Sequence, residues 1–161
     1  MTESLNTIRT LGLAPVFEDL YFGRDVPANL QIYMRYPTEF RNATLDEWKP
    51  LTEGGSLIPI VDDGNFYNIC LFDTRRRKFI VKSVEEPERI VTEFDSWEQY
   101  LAYALLEIGD SGASEDELIQ VADTVGFRHT AELLSLLREM ETLSDRESDE
   151  RVAQFILACA T

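Results

Sequence analysis

The chain has 161 residues, 44% of them hydrophobic and 28% charged, enough for one compact domain with a real core and no need of disulfide or metal staples. Its 30 acidic residues against 15 basic ones give a formal charge of −15 at pH 7. That balance argues against direct nucleic-acid binding, which rests on Lys and Arg releasing counterions, and against docking on anionic membranes. It favours solubility and a basic protein partner drawn in by long-range attraction.

In chain order, Leu5, Ile8 and Leu11 stand at helical spacing, and Phe17, Tyr21 and Phe22 follow between the breakers Gly12, Pro15 and Gly23. A short helix and at least one turn are expected there. Leu30, Ile32 and Met34 alternate with Gln31, Tyr33 and Arg35 between Pro27 and Pro37, which predicts a strand with one buried face. Thr44 to Glu47 has capping-box spacing for a helical turn leading to Trp48, ended by Pro50, before the Gly54-Gly55 loop.

The middle of the chain reads as an antiparallel meander. Leu57 to Val61 carries Pro59, which suits an edge strand or a bulge. Asp62-Asp63-Gly64-Asn65 is turn chemistry, and Phe66 to Phe72 forms a strand with Phe66, Asn68, Cys70 and Phe72 on one face. Asp73 to Arg77 turns the chain into a returning strand, Phe79 to Val84. The acidic turn Glu85-Glu86-Pro87-Glu88 then leads to a further strand at Ile90 to Phe94.

The rest is helical. Ser96 to Gln99 and Ser114 to Glu117 are capping boxes. The first opens an apolar stripe through Trp97, Tyr100, Leu101, Ala104, Leu105 and Ile108; the second opens a helix closed by Gly126. A third helix starts near Thr130 with Leu133, Leu134, Leu136, Leu137 and Met140 inward. A fourth runs from about Ser144 to Ala160 with Val152, Phe155, Ile156 and Cys159 inward. Residues 1–109 hold 18 acids and 11 bases, net −7, whereas 110–161 hold 12 and 4, net −8. The expected organisation is an α+β domain over 1–109, a boundary near Gly109 to Gly112, and a helical extension or subdomain over 113–161.

Chemistry-bearing motifs are few. Counted from Asp62, a twelve-position calcium loop would end on Asp73 and would have to hold Phe66, Ile69, Leu71 and Phe72, so a hairpin turn is the better reading. His129 stands alone at a helix start, as a surface or capping residue. Cys70 and Cys159 lack metal spacing and read as reduced thiols. There is no nucleophile elbow and no phosphate-binding glycine loop. No catalytic residue, metal or cofactor is expected, and a non-enzymatic protein is. The basic run Arg75 to Lys78 reads as a hairpin tip that discourages edge-to-edge pairing. The candidate partner-binding residues are Asp62, Asp63, Glu85, Glu86 and Glu88 for charge, with Tyr67 as an anchor; Tyr33 is a second such tyrosine. The opening MTESLNTIRT is not patterned as a secretory signal, and no uncharged run is long enough to span a membrane, so a cytoplasmic protein is expected.

Trp48, Leu57-Ile-Pro-Ile60, Asp62 to Asn65, the strand to Asp73, its return over Lys78 to Val84, and Phe94 to Leu101 entering a helix together resemble the SUKH superfamily. That superfamily includes fungal cell-wall synthesis regulators and bacterial immunity proteins of polymorphic toxin systems. The likeness covers roughly residues 45–108. It implies an α+β fold with a mainly antiparallel sheet and flanking helices, and a binding role: an immunity protein that masks a cognate basic toxin domain, such as a nuclease. The alternative it implies is a regulatory or scaffold protein that docks partners through its C-terminal helices. The family carries no shared catalytic set, and the helices after Gly112 lie outside its usual core.

Overall fold

The computed structural model describes residues 3–42 and 48–160 and shows an α+β fold: a four-stranded antiparallel sheet, helices before it, and helices after it. The chain divides into two compact units, Met1–Asp95 and Ser96–Thr161. The expected boundary at Gly109 to Gly112 thus falls inside the second unit, at a turn between two of its helices. The capping box expected at Thr44 to Glu47 lies outside the described residues.

In the first unit, α1 (Glu3–Thr10) and α2 (Pro15–Phe22) pack together, and α1 also lies on the first strand. Pro15 opens α2 at a position whose N–H has no helical partner anyway, and Gly23 closes it with φ 67°, a left-handed turn that glycine adopts without penalty. Leu5, Ile8, Phe17 and Leu20 are buried, and the Tyr36 hydroxyl donates to Ser4 Oγ at 3.1 Å.

The segment expected as a strand around Leu30 is instead a helix, α3 (Ala28–Tyr33). Leu30 and Met34 are four residues apart, so they share a face in either conformation. Ile32 separates the two: a strand would bury it with them, and it is 62% exposed. Two short helices follow, α4 (Glu39–Asn42) and α5 (Lys49–Thr52). Pro50, expected to stop a helix, sits in the first turn of α5.

The strands are β1 (Leu57–Asp62), β2 (Asn68–Asp73), β3 (Lys78–Ser83) and β4 (Ile90–Phe94), in the spatial order β1-β2-β3-β4. Pro59 does lie on an edge strand, and the register shifts between Pro59 and Val61. That edge is partly covered, because Asp62 N–H donates to Arg35 O at 2.9 Å. On one face of the sheet Leu57, Ile69, Leu71 and Ile80 cluster with Leu51, under Phe40, Trp48, Phe66 and Val84. Cys70, Phe72, Phe79, Val81 and Phe94 are buried on the other.

Phe66 departs from the expected alternation. Its φ of 59° turns the chain just before β2, and its ring joins Phe40 and Trp48, opposite the face that carries Cys70 and Phe72. Lys82 is 1% exposed on the Ile69 face, where its ammonium meets Glu53 Oε1 at 3.0 Å and Pro50 O at 3.4 Å. A buried cation survives there because it is paired.

The second unit consists of α6 (Trp97–Asp110), α7 (Glu115–Val125), α8 (Thr130–Met140) and α9 (Asp145–Ala158). Capping boxes at Ser96/Gln99, Ser114/Glu117 and Ser144/Glu147 open α6, α7 and α9. Leu101, Leu105, Leu118, Val121, Val125, Leu133 and Leu136 form the interior. Leu134, Leu137 and Met140, expected inward, are only half-buried, and so are Val152, Phe155 and Ile156. Cys159 is buried. Trp97 is half-buried against Tyr100, with ring centroids 4.8 Å apart.

Candidate functional site

One end of the sheet gathers most of the acidic turn residues. The β1–β2 connection is built by two neighbouring aspartates with different duties. Asp62 is fully buried: its carboxylate accepts from Gly64 N–H at 2.8 Å and from Arg35 Nε at 3.1 Å. Loss of water outweighs the Gly64 hydrogen bond and the Arg35 charge, so its pKa rises to about 6. Asp62, expected as a contact residue, therefore anchors the turn from inside. Its side chain has no exposed surface to offer and is spent on Gly64 and Arg35.

Asp63 is half-buried and faces the turn. Its carboxylate accepts from the N–H groups of Asn65, Tyr67 and Asn68 at 3.2, 3.1 and 3.0 Å, an extended Asx turn. Gly64, with φ 81°, lies so close to α3 that a Cβ would stand 2.2 Å from Ile32 O. No other residue type fits there without moving backbone.

This turn delivers Tyr67 to the surface, 49% exposed. Val84 N–H donates to Tyr67 O at 2.9 Å, which brings the end of β3 and the following acidic turn beside it. The Tyr67 hydroxyl donates to Glu85 Oε2 at 3.3 Å, and the charge of Glu85, then that hydrogen bond, raise the phenol's pKa, with smaller contributions from Glu86 and Asp63. Glu86 pairs with Arg89 at 3.1 Å. Tyr67, Glu85, Glu86 and Arg89 line an open hollow of about 260 Å³, with Asn68, Ser83 and Val91 completing it. Glu88 is exposed on the same turn but does not line the hollow.

Ile90 and Val91 adjoin it on the edge strand β4, 40% and 42% exposed. Sequence reasoning passed over Arg89, Ile90 and Val91 as a surface. The signal was present: two adjacent apolar residues at the start of a strand cannot both point into one core. Tyr33, the other candidate anchor, is half-buried on α3.

At the opposite end of the sheet, two of the four bases in the run Arg75 to Lys78 are paired with neighbouring carboxylates, while Arg75 and Arg77 stay exposed. Arg76 bonds Asp73 at 2.7 Å and Glu93 at 3.0 Å, and Lys78 meets Glu93 and Asp95, each at 3.1 Å. Asp73 also accepts from the N–H groups of Arg75 and Arg76. These bonds close the hairpin tip, as expected of a structural turn.

Burial pushes the Cys70 thiol well up, and the Cys159 thiol to about 11, away from the nucleophilic thiolate. His129 stands at the N-cap of α8 without a side-chain capping bond, half-buried beside the Phe127 ring. Among the described residues no group of three His, Cys, Asp or Glu side chains is placed to hold a metal, and no helix is long and apolar enough to cross a membrane. Comparison of the chain with protein-family models, curated proteins and solved structures finds no match in any of the three.

Proposed function

We propose that this protein is a non-enzymatic protein-binding module, an immunity protein of the SUKH-like kind that binds and neutralises a cognate basic toxin domain. The observation that carries the reading is the acidic end of the sheet, where Tyr67, Glu85 and Glu86 surround an open hollow beside the exposed Ile90 and Val91. A tyrosine flanked by carboxylates, next to apolar surface, suits a partner that presents Lys or Arg around an apolar contact. The overall charge of −15 would speed encounter with such a partner at low salt. The SUKH-like order of motifs supports the immunity assignment, and the four-stranded meander is consistent with it.

The test is capture from the native source at low and high salt, with the wild type beside two variants. A single basic protein should be retained, and lost by the triple variant Tyr67→Ala, Glu85→Lys, Glu86→Lys. It should be kept by Arg76→Glu at the other end of the sheet. Equal retention by all three proteins would remove the sheet end as the binding surface. Toxicity of the captured protein, relieved by co-expression of this chain, would establish the immunity role; a harmless captured protein would refute it.

A further inference from the structure

The second unit carries a surface of its own, independent of the sheet end. It holds 14 acidic residues against 4 basic ones over 96–161, net −10, while the longer first unit holds 16 against 11, net −5. Within it, the α6–α7 turn, α8 and the start of α9 border a cavity of about 690 Å³. Its lining includes Leu118, Leu134, Leu137, Met140 and Leu143. Leu118 is buried and the other four are half-buried, although the sequence pattern sends the α8 residues inward. Gly109 sets the depth at one side: a Cβ there would lie 3.1 Å from Leu137 Cδ1, so a bare backbone lets α6 and α8 approach.

The rim is acidic. Asp110, Glu141, Asp145 and Asp149 are exposed around the cavity and form no ion pair among the described residues. Arg138, the only base lining it, is already held by Glu115. Asp145 faces the positive end of α9, which accounts for one of these charges. Asp149 stands four residues on, where a second like charge on the same face weakens the helix. Apolar side chains left half-covered beside carboxylates that form no ion pair are complementary to one kind of occupant.

We propose that this groove docks an amphipathic helix of a partner protein, with Leu-type side chains seated on Leu134, Leu137, Met140 and Leu143 and with Lys or Arg reaching the four carboxylates. Helix-in-groove recognition uses apolar surface for residues spaced i, i+3, i+4 and i+7 and a charged border to fix polarity; the half-covered side chains of Leu134, Leu137, Met140 and Leu143 offer the first and the four carboxylates the second. The carboxylates add attraction that weakens with salt, whereas the apolar floor supplies the salt-resistant part.

The probe is a synthetic amphipathic Leu/Lys peptide of about five helical turns, titrated into the full chain by calorimetry, beside a scrambled peptide of the same composition. The amphipathic peptide should bind 1:1 and the scrambled one should not saturate. Glu141→Lys with Asp149→Lys should weaken binding at least about tenfold, and Asp25→Lys with Asp123→Lys, an equal charge change elsewhere, by no more than about twofold. All four sites are exposed, so thermal melts should show both variants folded. Backbone amide shifts on binding should centre on residues 134–149. Equal binding of the scrambled peptide, equal weakening by both charge variants, or shifts centred on Tyr67 to Val91 would overturn the proposal.

Discussion

The two ends of the sheet are both crowded with charge and use it in opposite ways. At the β2–β3 tip, Arg76 and Lys78 are matched by Asp73, Glu93 and Asp95, so these charges close a turn, and of the basic run only Arg75 and Arg77 are left to the surface. At the other end, Arg89 is the one base lining the hollow and answers only Glu86, while Glu85 is bonded by a phenol. A run of like charge in sequence therefore says little by itself; the carboxylates brought beside it across the strands decide whether it is spent internally.

The sharpest way to break this comparison is to disturb the turn that builds the acidic end. Gly64→Ala places a Cβ against Ile32 O in a left-handed conformation, and should cost roughly 3–5 kcal/mol in chemical denaturation, from strain and displaced backbone together. A loss below about 1 kcal/mol would mean that the turn is free to leave α3, and that Tyr67 is not held in place.

A smaller effect is expected from the buried aspartate beneath the same turn. Unfolded Asp62 loses its proton near pH 4, and the folded protein holds it until about pH 6. Stability from this group is therefore complete below about pH 4 and is lost as the pH rises through 6, by at most about 3 kcal/mol. Asp62→Asn should flatten that part of the stability profile while keeping the Gly64 bond. An unchanged slope would assign the pH dependence to the surface acids instead.

Arg76→Glu tests the paired end. Arg76 is half-exposed but Asp73 is buried, and the reversal sets two carboxylates together, so the stability loss should be about 1–2 kcal/mol. The smallest effect is spectroscopic. Glu85→Gln should lower the titration of the Tyr67 phenol toward its ordinary range, followed by ultraviolet difference spectra against Tyr67→Phe. No change would show that the hydroxyl and Glu85 do not meet in solution.

Much of the fold was legible because local chemistry was consistent with it. The capping boxes at Ser96 and Ser114, Gly126 as the cap that closes α7, and the strands around Cys70 and Val81 all lie where propensity, turn residues and hydrophobic period agree. The reading failed where two periods fitted the same residues. Leu30 and Met34 satisfy both helix and strand, and only the exposure of Ile32 distinguishes them. Of the candidate site, Asp63, Tyr67, Glu85 and Glu86 do come together, but Asp62 does not join them. Adjacent aspartates are equivalent in sequence, and only the position of Arg35 takes one of them inside.

The sequence by itself determined the secondary elements after Leu57, the antiparallel order implied by short turns, and the excess of negative charge in the C-terminal part. These depend on neighbours within a few residues or on simple counting. Tertiary structure alone decided which acids are buried, which bases of the Arg75 to Lys78 run are paired, and which leucines of α8 are left half-covered beside a carboxylate rim. Those outcomes depend on residues far apart in the chain, Arg35 with Asp62, Arg76 with Glu93, Gly109 with Leu137, whose meeting no local pattern records.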